Sequence, residues 1–171
     1  YNQIERIGLG GYALITYLWK AVVPVGLSNF YPYPEKTANG MQLNYYIYPV
    51  VLLGLLFIIW RYGRRNKIVL FGSLFFLVNI ALLLQFIPVG GAIVADRYSY
   101  IPYLGLFIMA GCGISVLFED AAYKQFKTIA MAGVVVYTLA LGVLSNQRAK
   151  VWYDAMSLWR GEIEKALPIA E

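Results

Sequence analysis

The chain has 171 residues, 60% of them hydrophobic and 13% charged, with a formal net charge of +5 and a mean hydropathy of +0.62. Soluble domains carry about 25% charged residues, so this composition points to an integral membrane protein. There is no histidine and one cysteine, Cys112, which excludes imidazole bases, His-ligated metals and an internal disulfide.

The nine carboxylates show no spacing that resembles a metal site. No basic stripe with interleaved aromatics suggests a nucleic-acid partner. The chain opens neither with Met nor with a leader of charged, apolar and cleavable parts. It is therefore expected to be a piece of a longer polypeptide.

The first apolar run, 7–23, is short for a span and carries Lys20 near its end. It either crosses the membrane or enters and returns, with Lys20 snorkelling to the interface. Residues 24–44 form a turn-rich loop with three prolines and Asn39-Gly40. Its Phe30, Tyr31 and Tyr33 suit a membrane interface. The second run, 45–60, ends on Trp60, an interfacial anchor, and leads into the basic stretch RYGRRNK at 61–67. The third run, 68–86, holds Asn79, placed to bond to a neighbouring helix.

The junction Phe86–Gly105 follows, with Asp96-Arg97 and then Tyr98, Tyr100 and Tyr103. Charges at a membrane boundary are costly without a partner or a task. The fourth run, 101–118, contains Gly105, Ala110, Gly111 and Gly113, which favour close helix packing. A short charged loop spans 119–127, and the fifth run is 128–144. In the tail, 146–171, Trp152, Met156, Trp159, Ile163 and Leu167 recur at spacings of three and four. That pattern predicts an amphipathic helix on the membrane, or one leading to a further soluble domain.

The fold expected from these runs is an all-α membrane protein. About five transmembrane helices make a membrane domain over 1–145, followed by the amphipathic helix. Loops 61–67 and 119–127 hold six Lys/Arg, against two in loops 25–44 and 87–99. The positive-inside rule then puts loops 24–44 and 87–99 and the tail on the extracytoplasmic face.

Arg97, among tyrosines at a helix start, is a candidate anion site, because a guanidinium stays charged and matches phosphate geometry. Tyr98 and Tyr100 would add hydroxyls and flat faces, and Arg148 and Lys150 fall on the same side. A plainer reading pairs Asp96 with Arg97 or uses them to cap the fourth helix. Arg148 then marks a membrane boundary, and the tyrosines belong to an aromatic belt. Asp96 beside an arginine suits an ionised structural partner better than a tuned base.

At these residues the sequence resembles a family. IPVGGAIVADRYSYIPYLGLFI is similar to a motif of membrane mannosyltransferase-like proteins of the TMTC type and their bacterial relatives. These belong to the GT-C class, related to protein O-mannosyltransferases. YLWKAVVPVGLSNFYPYP and NQRAKVWYDAMSLWRGEIEKALP resemble two further stretches in the same order, the second leading into tetratricopeptide repeats. The resemblance covers about Tyr12 to Pro168.

It implies part of a GT-C fold in a bacterial inner membrane. It also implies a polyprenyl-phosphate sugar donor, a protein or glycan acceptor, and a carboxylate base, often with a divalent metal, in an earlier part of the full-length enzyme. That acidic motif is missing here. No catalytic residue and no metal ligand is expected in this chain. Arg97, Tyr98, Tyr100, Asp96 and Arg148 would serve the donor phosphate. Two other readings stand beside this one: a non-catalytic membrane scaffold for other chains, and a lipid flippase or transporter.

Overall fold

The structure, a computed structural model, describes residues 2–34, 42–84, 91–119 and 126–153, together with Met156 and Trp159. Glu35, the Asn39-Gly40 turn, the start of the 86–105 junction, most of the 119–127 loop, and Ile163 and Leu167 of the tail lie outside the described residues. The chain divides into two compact units, Tyr1–Gly113 and Ile114–Glu171.

The first unit opens with α1, Gln3–Val22. Its start is fixed by a reciprocal cap. The Glu5 N–H donates to Asn2 Oδ1 at 2.8 Å, and the Asn2 N–H donates to Glu5 Oε2 at 2.7 Å. Leu9, Ala13, Leu14 and Tyr17 recur about once per turn on its buried face. They form one core with Phe76, Ile80, Leu84, Ile93 and Val94.

After a loop, a short 3-10 turn at Leu43–Tyr46 leads into α2, Tyr48–Gly63. Pro49 sits in the first turn of α2, where its missing N–H leaves no bond unmade. α1 lies close against this start. A Cβ on Gly8 would stand 2.7 Å from the Tyr45 carbonyl oxygen, and one on Gly11 would stand 2.8 Å from Tyr48 Cβ. Tyr12 packs edge-on against Tyr45 and Tyr48, with centroids 5.4 Å away in both cases.

α3, Lys67–Ala81, is capped by Asn66, whose Oδ1 accepts from the N–H groups of Ile68 and Val69. α4, Tyr100–Glu119, meets α3 where Gly72 faces Gly105. A Cβ on Gly105 would collide with the Gly72 carbonyl and stand 3.1 Å from Phe76 N. Two short strands, β1 (Tyr31–Pro32) and β2 (Ala92–Val94), pair antiparallel with Tyr31 opposite Val94.

In the second unit, α5 runs from Lys127 to Val151. It is the one described helix long and apolar enough to cross a membrane, and none of its apolar window is buried.

The described parts of the five apolar runs are largely helical, but they do not build the expected five-span, all-α membrane fold. α2 has 16 residues and α3 has 15. At about 1.5 Å per residue each falls short of the roughly 30 Å hydrocarbon core. Among the described residues, the apolar stretch of α4 runs over Tyr100–Val116 and is also below spanning length. α1 has 20 residues, but every 18-residue window in it contains Glu5, Arg6 and Lys20. The strand pair adds a β element. The GT-C fold class is corrected with the five-span arrangement.

Two smaller expectations change as well. Asn79 Nδ2 donates to the Phe75 carbonyl at 2.7 Å, within its own helix rather than across to a neighbour. Gly111 and Gly113 have open space where a Cβ would lie and Ala110 is exposed, so of that set only Gly105 makes a close helix contact. Trp152 closes the end of α5, while Met156 and Trp159 beyond it are helical and exposed.

Candidate functional site

The site is built where β2 runs into α4. Ala95 ends the extended stretch, Asp96–Tyr98 make a 3-10 turn, and α4 starts at Tyr100. Tyr17 of α1 anchors the entry. Its hydroxyl accepts the Ala95 N–H at 3.1 Å and donates to the Ala95 carbonyl at 3.3 Å. The Tyr103 hydroxyl donates to the Tyr17 carbonyl at 2.7 Å, and its ring stacks on Phe76 at 6.5 Å. Burial pushes the Tyr17 phenol up to about 12 and raises the Tyr103 phenol as well. Both therefore stay protonated, and remain donors, at neutral pH.

Asp96 ties this turn to the loop after α1. Its Oδ2 accepts the Ser28 N–H at 2.5 Å, and the Asp96 N–H donates to the Ser28 carbonyl at 3.3 Å. The Tyr31 hydroxyl is shared between Asp96 Oδ2 at 3.3 Å and the Gly26 carbonyl at 3.0 Å. Ser99 Oγ donates to the Asp96 carbonyl at 2.7 Å and finishes the turn.

Lys20 holds the other side of the loop. Its Nζ donates to the carbonyls of Val25 and Gly26 and lies 5.7 Å from the Tyr31 ring centroid. Gly26 sits at φ 62°, in the left-handed region that turns its carbonyl to this ammonium. Lys20 thus clamps the loop.

Arg97 is arranged differently. Nη1 donates to Asn29 Oδ1 at 2.6 Å, and Nη2 donates to the Tyr98 hydroxyl at 2.9 Å. Its guanidinium carbon lies 4.8 Å from the Tyr98 ring centroid. Asn29 is 8% exposed, so this acceptor is fixed in the protein body, while Arg97 itself is exposed. Among the described residues Arg97 makes no ion pair. A guanidinium has five N–H donors, and those not engaged here are open to an anion.

Of the five residues singled out from sequence, the structure brings Asp96, Arg97 and Tyr98 into one turn with distinct tasks. Asp96 bonds to the loop, so the expected Asp96–Arg97 pair is replaced by Asp96–Ser28 and Arg97–Asn29. Tyr100 starts α4 and is 73% exposed. Among the described residues its side chain makes no hydrogen bond or ring contact. Arg148 lies in the last turn of α5, in the second unit. Sequence reasoning missed Tyr17, Ser28 and Asn29 as parts of the site.

Among the described residues no three acidic, Cys or His side chains gather as a metal site. Asp96 spends its Oδ2 on Ser28 and Tyr31. The donor set does not fit a divalent cation, and no step is assigned to one. No protein-family model, no characterised protein and no solved structure matches this chain.

Proposed function

We propose that this chain forms the donor-phosphate face of a polyprenyl-phosphate-sugar-dependent glycosyltransferase, mannosyltransferase-like and acting at the extracytoplasmic surface of a bacterial inner membrane. The observation that carries this reading is the exposed Arg97 guanidinium. It is held by buried Asn29 and by Tyr98, and it makes no ion pair among the described residues. An arginine oriented by neutral acceptors keeps its full charge for a phosphate oxygen. Pairing of β1 with β2 joins loops 24–44 and 87–99, the two loops expected on that side. α5, with its exposed apolar length, supports membrane residence. A protein or glycan acceptor and a base from elsewhere in the enzyme complete the reading.

A second reading is a non-catalytic membrane scaffold for other chains. It is favoured by Asp96, whose engagement with the Ser28 N–H suits a structural tie better than a base. Flippase or transporter function has no observation in its favour.

The test compares binding of a radiolabelled polyprenyl-phosphate sugar with that of the unphosphorylated polyprenol, using the full-length protein in nanodiscs. Preference for the phosphorylated carrier, with sugar transfer, supports the glycosyltransferase. Equal weak binding and no transfer across several sugars moves the scaffold ahead.

A further inference from the structure

Away from Arg97, the first unit contains an apolar cavity of about 350 Å³ between α1, α2, α3 and α4. Leu18, Leu55, Ile59, Phe76, Leu106 and Met109 contribute to its wall. Ser73, also in the wall, donates its hydroxyl to Met109 Sδ at 3.5 Å, so it does not demand a polar ligand. Tyr62 and Val69 line the cavity too. Tyr62 is the chain neighbour of Arg61, and Val69 lies in the first turn of α3. The cavity therefore reaches Tyr62 in the last turn of α2, the turn that carries Arg61 and is followed directly by Arg64 and Arg65.

Those three arginines surround a separate cleft of about 270 Å³. All are exposed, and among the described residues none makes an ion pair. Arg64 lies 4.7 Å from the Trp60 ring centroid. The helix end does not need their side chains as caps. The Trp60 carbonyl already accepts the Arg64 N–H at 3.3 Å, and the Tyr62 carbonyl accepts the N–H groups of Arg65 and Asn66 at 3.0 and 3.1 Å. Three guanidinium groups around one cleft repel each other, and an anion shared between them relieves that repulsion.

We infer that this pair of sites holds one anionic phospholipid, with an acyl chain in the apolar cavity and the headgroup phosphate on Arg61, Arg64 and Arg65. Charge complementarity selects the anion, and the adjoining apolar wall selects a molecule with a chain attached. Such pockets commonly measure about 300–1,000 Å³. Basic clusters at a membrane surface attract anionic lipid. The inference uses the membrane residence proposed above and is independent of donor binding at Arg97.

The test uses the full chain in nanodiscs of phosphatidylcholine with increasing phosphatidylglycerol, and counts retained lipid by native mass spectrometry. Wild type is expected to retain one phosphatidylglycerol in preference to phosphatidylcholine. The exposed triple variant Arg61→Gln, Arg64→Gln, Arg65→Gln should lose at least about tenfold in that preference, or about 1.4 kcal/mol, and keep its donor binding. A short-chain phosphatidylglycerol should bind wild type more weakly than the long-chain form. The inference is overturned if phosphatidylcholine is retained equally well, or if the triple variant retains phosphatidylglycerol unchanged. It is also overturned if inorganic phosphate alone displaces the lipid completely.

Discussion

Tyr17 and Ala95 are joined twice. One phenolic oxygen accepts the Ala95 N–H at 3.1 Å and donates to the Ala95 carbonyl at 3.3 Å. Both residues are buried, at 1% and 0% exposure. A side chain of α1 thereby satisfies the last extended residue before the Asp96–Tyr98 turn, where a further strand would otherwise have to bond. The position of Arg97 depends on this join, because the turn that carries it starts from Ala95.

Tyr17→Phe keeps the ring and removes the join. The Ala95 N–H and carbonyl then lose a buried partner, at a cost of about 1–3 kcal/mol. Thermal unfolding should show the loss. Tyr100→Phe, at an exposed position, should leave the midpoint unchanged.

Alkaline pH should act through the same residue. The Tyr17 phenol is raised from 10.0 to about 12 by burial, so the folded state holds its proton more tightly than the unfolded chain does. Its contribution is fully present below pH 10 and is lost as pH rises from 10 toward about 12. Tyr103 shifts in the same direction for the same reason. Circular dichroism and tyrosinate absorbance followed together should show these phenols ionising as structure is lost. Early ionisation of all tyrosines with the fold intact would contradict it.

Asp96 separates a structural tie from a base. Asp96→Ala strips the buried Ser28 N–H of its acceptor and should destabilise by about 1–3 kcal/mol. Asp96→Asn retains an acceptor oxygen. It should recover most of that stability while leaving donor binding within about twofold, under 0.5 kcal/mol. Loss of all transfer in a fully folded Asp96→Asn protein would instead make it a base.

The helix contact at Gly72 and Gly105 gives a steric prediction. Gly105→Ala pushes a methyl into the Gly72 carbonyl and should cost about 1–3 kcal/mol as overpacking. Gly111→Ala enters open space in the same helix and should gain up to about 1 kcal/mol of helix propensity. Opposite shifts in unfolding midpoint check both.

The helical runs were legible in the sequence because apolar residues continue for a dozen or more positions. The caps at Asn66 and at the Asn2–Glu5 pair were not singled out there. Span length was not legible, since composition does not show where a helix stops. α2 and α3 stop at Gly63 and Ala81, and α1 carries Glu5 and Arg6 inside its first turns. Asp96, Arg97 and Tyr98 stood out as charges and phenols between apolar runs. Their partners did not, because Ser28 and Asn29 lie 68 residues earlier and meet them only through the β1–β2 pairing. Asn79 misled for the opposite reason: a polar residue amid apolar neighbours found its acceptor one turn away.

The central claim is that Arg97 binds a phosphate while Asn29 and Tyr98 hold it in place. The most direct measurement is the affinity of the full-length protein in nanodiscs for a polyprenyl phosphate, compared across wild type, Arg97→Ala and Arg97→Lys. A charge-assisted hydrogen bond is worth about 1.5–3 kcal/mol, so Arg97→Ala should weaken binding by at least about tenfold. Arg97→Lys should recover part of the affinity, since the charge returns without the fork. Unchanged affinity in a folded Arg97→Ala protein would contradict the account and place the phosphate elsewhere.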